Sequence, residues 1–145
     1  MAHTYSLHPE HQLGVVRLFE RVTWDDIERA ARALYTDPAW RPPYSTVWDF
    51  RGVSALVVLP DDVEQSAALF RWVHTRVSAP GRSAFLARRE EDHLIAELLV
   101  YLRRKHIERE ARVFCCTARA TTRDAAAWLG VPEELLAVMR HSRAA

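Results

Sequence analysis

YSTVWDFRGVS, residues 44–54, is the stretch whose reading decides the fold. Residues 46–50 are rich in β-branched and aromatic side chains, which suit a pleated, half-buried surface. The run breaks at Arg51-Gly52, as a buried strand does when it emerges at the edge of a sheet. Ligands and partners of α/β proteins sit at such strand ends. Asp49, Arg51 and Ser54 therefore mark a candidate working edge.

Upstream, residues 5–7 and 13–22 read as extended segments around the turn His8-Pro9-Glu10-His11. Thr23 then starts a helix: it suits an N-cap, Asp26 stands in capping-box position, and Asp25 complements the helix dipole. Asp37-Pro38 and Pro42-Pro43 stop that helix. Downstream, VSALVVL (53–59) is apolar and too short for a helix, so it is either a continuation of the strand or a buried crossover loop. Pro60 opens the next helix with Asp61 and Asp62 in its first turn, and Val63, Ala67, Phe70, Val73 and Val77 form its core stripe.

Pro80-Gly81 ends that helix and Ser83–Ala87 reads as a short strand. Residues 91–105 give the clearest helical pattern, acidic at the start and basic at the end. Residues 113–116 form the last strand. Thr121 or Thr122 caps a short helix that Gly130 ends, and Pro132 opens a final helix through Met139. The order β-β-α-β-α-β-α-β-α implies an α/β fold. Its single mixed, mainly parallel sheet has about five strands, is covered by helices, and takes an antiparallel edge from the first hairpin.

Composition narrows the function classes. At 145 residues the chain is most simply one domain, and its 49% hydrophobic and 27% charged residues are those of a globular protein. A net charge of +1 argues against a nucleic-acid binder, which must neutralise several phosphates. No apolar run approaches the roughly 20 residues of a membrane span. The first residues lack the layout of a secretory signal, and the adjacent Cys115 and Cys116 make no disulfide framework, so a cytoplasmic address is expected.

Three segments carry a family resemblance: GVVRLFERVTWDDI (14–27), VWDFRGVS (47–54) and RVFCCTARATTRDAAAWLGVP (112–132). In order and spacing the chain resembles the SpoIIAA-like branch of the STAS-like domains, which includes anti-sigma-factor antagonists. The resemblance implies a single STAS-like domain, of a branch without assigned activity, and brings no enzyme with it. It also implies a departure. Where switching relatives carry a Ser-rich turn at a helix start, Ser54 is followed here by Ala55 through Pro60 and then Asp61-Asp62. A phosphate there would meet existing negative charge.

If strands 46–50, 83–87 and 113–116 run parallel, their carboxyl ends gather Asp49, Arg51 and Ser54 with Arg88, Arg89, Thr117 and Arg119. That edge is a candidate site for a small anion or an acidic partner. The plainer reading is a set of solvated loop residues in which Asp49 pairs with a neighbouring arginine. Trp40 in its proline-rich loop is either an interface anchor or a ring folded over the core. Leu56 and Val58 are candidate interface residues, and they make self-association plausible. His8, His11, His93 and His106 have no metal-ligand spacing. Neighbouring strand cysteines point to opposite faces and read as buried small hydrophobes, with no base beside them.

No catalytic residue, cofactor or metal is expected. The leading expectation is a bacterial, non-enzymatic STAS-like domain that acts by protein–protein contact or small-ligand sensing. A carrier of an apolar, lipid-like molecule under VSALVVL is the first alternative. An enzyme built on Asp49, Arg51 and Arg88 ranks last.

Overall fold

A computed structural model of the protein describes residues 2–88, 96, 97, 100, 104, 106, 107 and 109–137. Strand β1 (His3–His8) turns through a 3-10 segment, Pro9–His11, into β2 (Leu13–Thr23). Helix α1 (Trp24–Thr36), β3 (Ser45–Val57), α2 (Pro60–His74), β4 (Ser83–Ala87), β5 (Ala111–Cys115) and α3 (Arg119–Leu129) follow, and a second 3-10 turn spans Glu133–Leu136. The five strands lie in sequence order, with β1 antiparallel to β2 and every later pair parallel. The mixed α/β sheet read from the sequence is therefore present.

Strand order fixes where the helices go. Parallel crossovers are right-handed, and each connection here steps one strand further in the same direction, so all the connecting helices must fall on one face. The core divides accordingly. On one face Val16, Leu18, Trp48, Phe50 and Phe85 pack with Ile27, Leu34, Leu69, Phe70, Val73, Ala96 and Val100. On the other, Leu13, Val15, Val47, Ala84, Leu86 and Phe114 are covered by Ala125 and Ala126 of α3 and by Leu136.

Local signals work as read at several ends. Thr23 and Asp26 form the capping box of α1, Pro60 opens α2, and Gly130 ends α3 with φ +71°. VSALVVL continues the strand: β3 pairs with β2 as far as Thr23 opposite Val57, across two register shifts that each place an extra residue on β3. The buried face of α2 is Ser66, Leu69, Phe70 and Val73, with Val63 and Ala67 at its margin.

Three expectations are corrected. Helix α3 begins at Arg119 with Ala118 as N-cap, so neither Thr121 nor Thr122 caps it; the Thr121 N–H bonds to the Ala118 carbonyl instead. The final helix is only the 3-10 turn Glu133–Leu136, and Ala137 is extended. Arginine side chains donate to the carbonyls of Leu135, Leu136 and Ala137 at the end of this turn. Trp40 is 6% exposed: its indole N–H donates to the Arg76 carbonyl at 2.7 Å and its ring meets Tyr35 and Tyr44, so it belongs to the core.

Of the helix expected over 91–105, Ala96, Glu97, Val100 and Arg104 are helical; its other residues, like Arg89, His93 and Met139, lie outside the described residues. Leu56 and Val58 are half-buried, and the exposed large apolar side chains among the described residues are Tyr5 and Leu59. No described helix is long and apolar enough to cross a membrane.

Candidate functional site

Alternation along β3 puts Val47, Asp49 and Arg51 on the face that α3 covers. Asp49 and Arg51 do not stand at a strand end, because β3 runs on to Val57; they are buried at 5% and 6% exposure. Arg51 grips Asp49 with a two-pronged fork: Nε donates to Oδ1 and Nη2 to Oδ2, both at 2.9 Å. The Arg51 backbone N–H also donates to Oδ1, at 3.0 Å.

Arg17, directly opposite Asp49 on β2, supplies the fourth bond, from Nη1 to Oδ2 at 3.0 Å. The carboxylate thus faces two guanidiniums. Charge-assisted, bidentate bonds of this kind are the strong ones. The outward donors hold the chain's last described turn: Arg17 donates to the carbonyls of Leu135 (3.0 Å) and Ala137 (3.2 Å), and Arg51 Nη2 donates to that of Leu136. Burial opposes the charge on both arginines. At Arg17 burial prevails and lowers the pKa, whereas at Arg51 the bonds to Asp49 outweigh burial and raise it.

Arg51 also forms the inner wall of a cleft of about 410 Å³. Thr117 and Arg119 line it from the end of β5 and the start of α3, and Arg88 from the end of β4, together with Cys116 and Thr122. Glu133 and Glu134 of the last 3-10 turn also line it. Arg51 Nη1 reaches Thr122 Oγ1 at 3.5 Å, and Glu133 lies 3.7 Å from Arg119 and 3.6 Å from Arg123. Arg88 is exposed and has no carboxylate partner among the described residues.

The expected carboxyl edge is therefore assembled in part. Arg51, Arg88, Thr117 and Arg119 meet in one cleft, with Asp49 directly behind Arg51. Ser54 lies further along β3, exposed and outside the cleft's lining. Sequence reading missed Arg17, Thr122, Glu133 and Glu134. A signal for Arg17 exists, because it alternates with Leu13 and Val15 on a face that is otherwise apolar.

Cys115 and Cys116 are both half-buried, so neither is the fully enclosed hydrophobe expected. Burial pushes the Cys116 thiol up, with a hydrogen bond from Thr122 and the Arg51 charge partly opposing it. Among the described residues no three His, Cys, Asp or Glu side chains gather as a metal site. Chemically, the cleft offers fixed cations, hydroxyls and a protonated thiol. No protein-family model, curated protein or solved structure matches this chain.

Proposed function

We propose that this chain is a non-enzymatic STAS-like regulatory or interaction domain that senses a small anion in the cleft at the carboxyl ends of β4 and β5. One observation carries the reading: Arg51, Arg88 and Arg119, from three separate elements, converge on one cleft with the hydroxyls of Thr117 and Thr122. Arginine forks match carboxylate and phosphate geometry. Arg51 is already oriented by Asp49, so its ordering cost is met in the fold.

The STAS-like assignment is supported by its own motifs. The hairpin runs into a capping box, and the last strand runs into a helix ending Ala-Trp-Leu-Gly. A non-enzymatic role is supported by the raised Cys116 thiol, which has no histidine beside it among the described residues that line its cleft. Glu133 is a built-in competitor. It occupies Arg119 and Arg123 and yields to an incoming anion. Because the same turn is held by Arg17 and Arg51 through the carbonyls of Leu135, Leu136 and Ala137, occupancy would be relayed to that turn.

The apolar-ligand alternative needs a hydrocarbon-sized cavity, and ligand pockets run to roughly 300–1,000 Å³. Among the described residues an apolar void lined by Trp24, Tyr35, Trp48, Phe50 and Phe70 measures about 40 Å³, and no residue of VSALVVL lines it.

Amide chemical shifts measured during titration with inorganic phosphate and with acetate test the proposal. Thr117 and Arg119 are expected to move in the wild type and to stay still in an Arg88→Ala/Arg119→Ala variant, read there at Thr117. No movement of either amide up to about 10 mM anion, a concentration that would populate even a millimolar site, overturns it.

A further inference from the structure

A second cleft, of about 870 Å³, opens at the opposite end of the sheet, where β4 and β5 begin. Arg82, Arg104, Arg109 and Arg112 line it together with a single described carboxylate, Glu110. Four guanidiniums against one carboxylate leave three positive charges unbalanced among the described lining residues. Glu110 is already taken, since its Oε2 lies 2.8 Å from Arg82 Nε.

Arg109 is the unusual member. It is 9% exposed, and among the described residues it has no carboxylate partner and its Nε has no hydrogen-bond partner. Among the described residues its other nitrogens donate to neutral carbonyls: Pro42 at 3.3 Å, Tyr44 at 2.8 Å and Arg82 at 3.1 Å. Those bonds fix its position without cancelling its charge. An uncompensated buried charge is costly, and burial pushes this guanidinium's pKa down.

The remaining cations are oriented toward use. Arg82 donates to the Trp128 carbonyl at 2.7 Å and lies over the Trp128 ring, 5.2 Å from its centroid. Arg112 lies over Phe114 at 4.9 Å, and Arg104 and Arg112 are exposed with no carboxylate partner among the described residues. We infer that this cleft binds a small molecule carrying two or more phosphate or carboxylate groups. Arg82, Arg104 and Arg112 take its anionic groups, and its charge offsets that of the buried Arg109. A small ligand fits better than an acidic peptide: the volume lies in the range of small-molecule pockets, and the cations come from separate chain segments to one cavity.

Chemical-shift titration of the full chain with pyrophosphate and with citrate, and separately with hexaglutamate, tests this site. Pyrophosphate or citrate is expected to move the Trp128 indole N–H and the Ala111 amide. An Arg104→Ala/Arg112→Ala variant, altered only at exposed positions, is expected to bind about tenfold or more weakly, the loss of one or two bonds to a charged group. An Arg88→Ala/Arg119→Ala variant keeps the Trp128 response, which separates this cleft from the one proposed above. Silence at Trp128 and Ala111 with both small anions up to about 10 mM overturns the inference. So does undiminished binding in the Arg104/Arg112 variant, or a response to hexaglutamate alone.

Discussion

Arg17 and Asp49 stand directly opposite each other on adjacent parallel strands, and Arg17 Nη1 donates to Asp49 Oδ2 at 3.0 Å. With Arg51 on the other side, one carboxylate holds two guanidiniums beneath the 133–136 turn. Removing that carboxylate leaves buried cations uncompensated. Asp49→Ala is therefore expected to cost about 3–5 kcal/mol, the range for breaking a buried pair from one side. Arg88→Ala, on the exposed rim, is expected to stay within about 0.5 kcal/mol. Urea unfolding of both variants at neutral pH checks this. A loss near that of Arg88→Ala at Asp49 would mean the triad does not hold the turn.

The elements legible in the sequence are those whose signals are local. Thr23 with Asp26, Pro60, and Gly130 each act on their own turn, and each lies where its chemistry places it. That Asp49 pairs with a neighbouring arginine was one of two readings of the sequence, and Arg51, two residues on along the same strand face, is such a partner. Arg17 was not, because its partner depends on the β2–β3 register rather than on any neighbour in the chain. The stretch from Pro132 reads as helix by propensity, but Ala137 is extended and the Leu135, Leu136 and Ala137 carbonyls accept from guanidiniums distant in sequence, contacts that no local signal announces. Arg109 gives no local sign that its charge will be buried, since its carbonyl partners come from residues 42, 44 and 82.

Gly81 makes the seat of Arg109 possible. A Cβ there would stand 2.7 Å from the carbonyl oxygens of both Pro43 and Tyr44 and 2.9 Å from Arg109 Nη1. The two oxygens are backbone and cannot swing aside. Gly81→Ala is expected to destabilise the protein by about 1–3 kcal/mol, as overpacking does. It is also expected to weaken pyrophosphate binding at Trp128. Urea unfolding reads the first effect, and a change below about 0.5 kcal/mol would show that the loop has room to move.

Cys116 is held in its protonated form by burial, so its reactivity is expected to be low despite the nearby arginine. In a Cys115→Ala variant, alkylation by iodoacetamide near neutral pH should be slower for the folded protein than for the urea-unfolded chain. The folded rate should keep rising as pH passes the ordinary thiol value of 9.0. Time-resolved mass spectrometry measures both rates. Faster labelling in the folded state would identify an activated thiol and return an enzymatic reading of the cleft to contention.

The capping box of α1 makes a pH prediction whose sign can be worked out. The Thr23 backbone N–H donates to Asp26 Oδ2 at 2.8 Å, the Thr23 hydroxyl donates to the same oxygen at 3.0 Å, and the Asp26 N–H returns a bond to Thr23 Oγ1 at 3.4 Å. The backbone bond favours the carboxylate and holds the Asp26 pKa below its ordinary 3.8. A lowered folded pKa means the fold prefers the charged form. The stabilisation is then complete above the unfolded value and is lost as pH falls through the folded one. Asp26→Ala should cost about 0.5–2 kcal/mol near neutral pH, as for other helix caps. The gap between wild type and variant should stay constant from about pH 7 to 5 and narrow below about pH 3.8. Thermal unfolding of the pair across that range is the measurement, and a gap unchanged near pH 3 would show that the cap does not depend on the ionised carboxylate.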